Sequence, residues 1–68
     1  MRIRIETEQE EDGRWIAAIP ELPGTQVYSS SREQAIRQVQ ALALRVIADR
    51  LEHGEPVPSL VDVFQVAA

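Results

Sequence analysis

The residues able to do chemistry are few. Glu6, Asp12 and Asp62 are the carboxylates that would have to hold metal ions in a metal-dependent hydrolytic site. Two-metal hydrolysis needs several acids converging within a few ångström. Asp12 precedes Gly13 and reads as a turn residue, Glu6 is one of several acids along the first hairpin, and Asp62 stands alone. The single histidine, His53, falls at a helix end, where the macrodipole favours a cation and a cap. Ser29, Ser30 and Ser31 have no partner base in the sequence and read as turn and cap. One histidine cannot build a metal cage, and with no cysteine there is neither a thiolate site nor a disulfide. No catalytic residue, metal or cofactor is expected, and the chain is read as no enzyme.

The elements that position these residues fit in one domain of 68 residues. A chain of this size buries only about 60 % of its unfolded surface, so its core is thin and oligomerisation is the expected reinforcement. The formal net charge is −4, and all seven bases are arginine. An acidic chain is a poor direct ligand for nucleic acid, whose binding depends on neutralising phosphates. Three aromatic residues cannot assemble a base-stacking surface either. A basic protein suits it better as a partner. No apolar run approaches the roughly 20 residues of a membrane span, and Met1-Arg2-Ile3-Arg4 opens no signal-peptide core. The expected location is the cytoplasm.

Along the chain, Ile3 and Ile5 alternate with Arg2, Arg4 and Glu6, the pattern of a strand with one buried face. A polar stretch ends in the turn pair Asp12-Gly13. From Arg14 the sequence is apolar on both faces, with Trp15, Ala17 and Ile19 on one side and Ile16 and Ala18 on the other. This predicts a central strand. Pro20-Glu21-Leu22-Pro23-Gly24 interrupts the ladder, because each proline lacks a backbone donor. A short third strand is expected over 25–28. Ser30 with Glu33, or Ser31 with Gln34, has the spacing of a capping box. The helix is predicted over 32–53, stopped by Gly54, Pro56 and Pro58.

Ile36, Val39, Ala43, Val46 and Ile47 make its apolar stripe. Leu42 and Ala35 widen that stripe on one flank, Leu44 and Leu51 on the other, to an arc of about 200°. A helix on one sheet needs little more than half of that, which points to self-association through Leu42, Val46 and Leu51 as a homodimer or higher oligomer. A fourth strand is predicted over about 60–66, where Val61, Val63, Phe64 and Val66 give β character. The fold class is therefore α+β, a two-layer β-β-β-α-β sandwich. A right-handed crossover would give sheet order 3-2-1-4, with one long helix on one face.

The stretch from Asp12 through Gly13, Trp15 and Pro20 to Gly24, then Glu33, Ala35, Glu52 and the exit from Gly54 to Pro58, resembles the HicB-type antitoxin family. The likeness covers residues 1–66. It implies a partial ribonuclease-H-like fold of the same element order. It also implies a partner, a small basic RNA-cleaving toxin of the HicA type whose catalytic histidine the antitoxin blocks. Two departures stand out. Ser29, Ser30 and Ser31 replace the glycine-containing entry to the helix common in that family, and the chain ends at Ala68 where many members continue into a DNA-binding domain. Direct nucleic-acid binding is thus not expected.

Applied to these residues, the resemblance implies occlusion without turnover. Glu6, Glu8, Glu10, Glu11 and Asp12 would steer a basic partner, since complementary charge speeds encounter. Trp15, Pro20, Leu22 and Pro23 would shape the contact surface. The alternative is a solitary homo-oligomer of the same fold with no toxin partner.

Overall fold

The computed structural model describes residues 3–56. Three strands, β1 (Glu6–Gln9), β2 (Trp15–Ala18) and β3 (Gln26–Ser29), form an antiparallel sheet in the order β1-β2-β3, and α1 (Arg32–Glu52) packs on one face. The protein is α+β. The predicted fourth strand, and with it the last place in the order 3-2-1-4, lies outside the described residues.

β2 is central, as its two apolar faces require. Ala17 and Ile19 are buried against the helix, and Trp15 packs beside them half-buried. The opposite face of β2 carries Ile16 and Ala18, opposite Glu8 and Glu6 on β1 and Tyr28 and Gln26 on β3.

β1 differs from expectation. Its ladder runs over Glu6–Gln9, so of the expected strand over 2–6 the described residues Ile3, Arg4 and Ile5 lie before it. The cause is the turn. Glu10 N–H donates to the Arg14 carbonyl at 2.7 Å and Gly13 N–H to the Glu10 carbonyl at 2.9 Å, closing a three-residue loop with Gly13 at φ 91°. Such a loop places pairing directly beside it, so Gln9 meets Trp15 and Thr7 meets Ala17. The polar side chains are tolerated because β1 lies at the edge of the described sheet. Ile3 and Ile5 continue its inward face beyond the ladder and pack on the core.

The proline-rich loop is two consecutive four-residue turns. Leu22 N–H donates to the Ile19 carbonyl and Thr25 N–H to the Leu22 carbonyl, both at 3.0 Å. Pro23 and Gly24 occupy the middle of the second turn, where Gly24 at φ 85° meets the type II requirement. Leu22, at the junction of the two turns, is fully buried. This corrects its expected surface role: it anchors the loop in the core from beneath.

α1 begins at Ser31, whose extended backbone and side-chain oxygen cap the Gln34 N–H at 3.1 Å. Of the two cap spacings, Ser31 with Gln34 is the one formed, and the Gln34 side-chain Oε1 also accepts from the Ser29 and Ser30 hydroxyls, each at 3.0 Å. The helix ends in a Schellman turn, with Glu55 N–H donating to the Arg50 carbonyl at 2.8 Å, Gly54 N–H to Leu51, and Gly54 at φ 70°. Ala35, Val39, Ala43 and Ile47 form its buried stripe, facing Ala17, Ile19 and Leu22. Three alanines among these seven residues let helix and sheet approach closely. The core is correspondingly thin.

Candidate partner-binding surface

α1 covers one face of the sheet, and no element among the described residues covers the other. Its cross-strand rows are Glu8–Ile16–Tyr28 and Glu6–Ala18–Gln26. Ile16 and Ala18 are half-buried and Tyr28 is 48 % exposed, giving a small apolar centre with carboxylates on the β1 side. At the hairpin end of this face, Glu10, Glu11, Asp12, Arg14 and Tyr28 line a shallow depression of about 440 Å³.

Asp12 is already engaged there. Its Oδ1 accepts the Arg14 backbone N–H at 3.0 Å and its Oδ2 accepts Arg14 Nε at 2.8 Å. The backbone N–H and the guanidinium of Arg14 hold the Asp12 carboxyl below its ordinary pKa. The same guanidinium lies 5.4 Å from the Tyr28 ring centroid, within cation–π range. Asp12 is therefore a turn residue, while Glu6, Glu8, Glu10 and Glu11 have no ion pair among the described residues.

The expected partner-binding residues do not form one surface. Glu6 and Glu8 project from the open face, and Glu10, Glu11 and Asp12 sit at the tip of the β1–β2 hairpin. Trp15 lies on the helix side of the sheet. Pro20 and Pro23 are exposed in the β2–β3 loop, which joins the sheet at the end away from the hairpin tip. That loop is tied instead to the N-terminal segment, where Arg4 Nε donates to Glu21 Oε1 and Arg4 N–H to Glu21 Oε2, each at 3.3 Å. Hydrogen bonds from Arg4 and from the Glu21 backbone outweigh desolvation and lower the Glu21 pKa.

The three residues expected to self-associate are also divided. Leu42 and Val46 are half-buried on one flank of α1. Leu51 is 49 % exposed, about 140° round from Val46 at 100° per residue, on the flank that carries Leu44. Leu44 is 70 % exposed and was outside the expected set, although its place on the helical wheel identified the flank. It borders an apolar groove of about 390 Å³ between α1 and the segment leading into β1, lined by Ile3, Ile5, Ile19, Ala43 and Ile47 with Gln40.

For cation chemistry, Asp49, His53 and Glu55 hold ligand atoms within 4.8 Å of one another, all three exposed. His53 Nδ1 lies 2.7 Å from the Asp49 carbonyl and 3.5 Å from Asp49 Oδ1, which accounts for His53 as a C-terminal cap. Glu6 and Asp12 are not brought together on a sheet face, and Asp62 lies outside the described residues. No helix among the described residues is long and apolar enough to cross a membrane.

Fold and surface together define a small α+β protein whose described residues form a three-stranded antiparallel sheet backed by one long helix, with an acidic hairpin at the sheet edge. No protein-family model, curated protein or solved structure matches the chain.

Proposed function

We propose that this chain is a HicB-like antitoxin module that binds a small basic RNA-cleaving toxin and silences it by occlusion, with no turnover of its own. The observation that carries the reading is the open sheet face, where Ile16 and Tyr28 are bordered by Glu6, Glu8, Glu10 and Glu11. An apolar centre with a charged rim is the composition of a protein-binding patch, and the sign of the rim selects a basic partner. The reading includes the four-stranded sandwich with sheet order 3-2-1-4, a cytoplasmic setting and a homodimer or higher oligomer. It assigns no direct contact with nucleic acid.

The test is co-expression with a small basic protein encoded beside this chain. Stoichiometric co-purification, together with loss of that partner's RNA cleavage when the chain is added, supports the reading. A partner that cleaves RNA undiminished in the presence of this chain refutes it. A solitary homo-oligomer is the second reading, favoured by the exposure of Leu44 and Leu51 on one helix flank. It predicts self-association with no basic partner recovered.

A further inference from the structure

The end of α1 gathers the only histidine of the chain with two carboxylates. Asp49 and His53 stand one helical turn apart, and Glu55 follows in the Schellman turn. One ligand atom from each, an imidazole nitrogen and two carboxylate oxygens, lies within 4.8 Å of the others. Atoms bound at about 2.0–2.2 Å to one tetrahedral ion stand roughly 3.5 Å apart. All three side chains are exposed, so rotation about their own bonds closes the difference.

The backbone sets this cluster up before any ligand arrives. His53 N–H donates to the Asp49 carbonyl at 3.2 Å and Glu55 N–H to the Arg50 carbonyl at 2.8 Å, which fixes where both residues sit. His53 Nδ1 also lies 2.7 Å from the Asp49 carbonyl. A carbonyl only accepts, so Nδ1 carries a proton, and the lone pair of the neutral ring is on Nε2. A ring N–H held by a backbone carbonyl is the outer-shell arrangement that orients metal-binding histidines. Capping and ligation thus use different nitrogens of the same ring.

The electrostatics favour a cation. Asp49 and Glu55 bring two carboxylates close together at the end of α1, where the macrodipole is already negative. Arg45 and Arg50, the nearest bases along the helix, form no ion pair with either among the described residues. Like charges at this separation repel, and a divalent ion turns both terms attractive.

We propose that Asp49, His53 and Glu55 form a binding site for a divalent transition-metal ion of the Zn2+ type. An imidazole with two carboxylates suits such an ion, whereas Ca2+ takes about six to eight oxygens. One histidine cannot close a cage, but an open site needs only three protein ligands, with water in the fourth position. Asp49 lies in the last turn of α1, His53 caps it and Glu55 lies beyond it, so a bound ion staples the exit turn to the helix. The site is remote from the sheet face and does not depend on the antitoxin reading.

The experiment is calorimetric titration of the full chain with ZnCl2, and with CaCl2 in parallel. One Zn2+ per chain is expected, bound more tightly than Ca2+. Asp49→Asn, His53→Asn and Glu55→Gln are each expected to weaken it about tenfold or more, the lower end of what even an outer-shell partner supplies. Glu10→Gln, at the hairpin tip, is expected to leave it unchanged. Nitrogen NMR of the native chain is expected to show Zn2+ shifting the Nε2 resonance of His53, a readout that needs no variant to fold. Thermal melting is expected to rise with Zn2+ in the native chain, because the ion binds the folded state, and to rise much less in the three variants. Absence of heat at millimolar Zn2+ overturns the proposal. Binding that leaves the His53 ring unshifted, or that all three variants retain, overturns it too. Ca2+ bound as tightly as Zn2+ would show acidic surface attraction only, and the site would be lost.

Discussion

Asp12 and Arg14, two residues apart, are joined twice across the tip of the β1–β2 hairpin, by the Arg14 backbone N–H at 3.0 Å and by its Nε at 2.8 Å. Both bonds need the ionised carboxylate to be at full strength. The folded chain therefore binds the Asp12 proton less readily than the unfolded chain, whose ordinary value is 3.8. By linkage, the stabilisation is complete above that value and is lost as pH falls through the lower folded value. Side-chain carboxyl chemical shifts followed from pH 6 to pH 2 are expected to place the Asp12 midpoint below 3.8. Arg14→Ala is expected to bring that midpoint back up. A midpoint above 3.8 in the native chain would show that the pair does not form.

The start of α1 rests on one hydroxyl. Ser31→Ala removes the oxygen that accepts the Gln34 N–H, at a cost of about 1 kcal/mol. For a domain of this size that corresponds to a fall in melting temperature of roughly 4–8 °C. Ser30 bonds only the Gln34 side chain, so Ser30→Ala is expected to shift melting far less. Thermal denaturation of the two variants side by side checks the assignment.

Much of this was legible in the sequence, and the failures have physical reasons. The helix ends were clear because Ser31 and Gly54 carry start and stop chemistry that depends only on near neighbours. β2 was clear because an apolar run on both faces has few other homes. The position of β1 was not, since a strand at a sheet edge keeps polar side chains on its exposed face, and its register was set by the turn instead of by apolar alternation. Leu22 was misplaced because prolines two before and one after it signal a loop, and nothing local says that a loop residue points inward. Leu51 lies on the flank opposite Leu42 and Val46, a separation the helical wheel gives; what the wheel does not give is which part of the apolar arc the sheet covers. The Arg4–Glu21 bond, 17 residues apart in sequence, has no local signature.

Leu22 is one of the two largest fully buried side chains, the other being Val39. Truncating a buried leucine to alanine costs about 2–5 kcal/mol through lost transfer energy and the cavity left behind. At roughly 0.05–0.15 kcal/mol per residue the whole chain has on the order of 3–10 kcal/mol to lose. Leu22→Ala is therefore expected to leave the protein partly unfolded at 25 °C, read as a large drop in the urea midpoint. Pro23→Ala, one residue on and exposed, is expected to move that midpoint by much less. Similar losses from both would mean that the loop, and not the buried side chain, carries the stability.

Gly24 separates conformational strain from crowding. A β-carbon built there meets nothing within 4 Å, yet φ is 85°. Gly24→Ala is thus expected to cost about 1–2 kcal/mol purely from the left-handed backbone. Gly24→Asn, better tolerated in that region, is expected to recover part of it. Chemical denaturation of both variants distinguishes the two causes, because crowding would penalise asparagine at least as much as alanine.

The acids of the hairpin differ in what they are free to do. Asp12 is spent on Arg14, so Asp12→Asn should weaken the turn. Glu8, Glu10 and Glu11 have no such bond among the described residues, and reversing them to lysine changes the surface field with little cost to the fold. If a basic protein docks on this face, the triple reversal is expected to slow association about tenfold or more, the lower end of what steering supplies. The screening length shortens from roughly 8 Å at physiological salt to about 3 Å at 1 M, so that difference should shrink as salt is raised. Dissociation rates should change much less, because charges at the rim act on encounter more than on the closed complex. Stopped-flow measurement of both rates over a salt series is the check. A large change in dissociation with unchanged association would mean that these carboxylates sit inside the contact, and the steering role assigned to them would be lost.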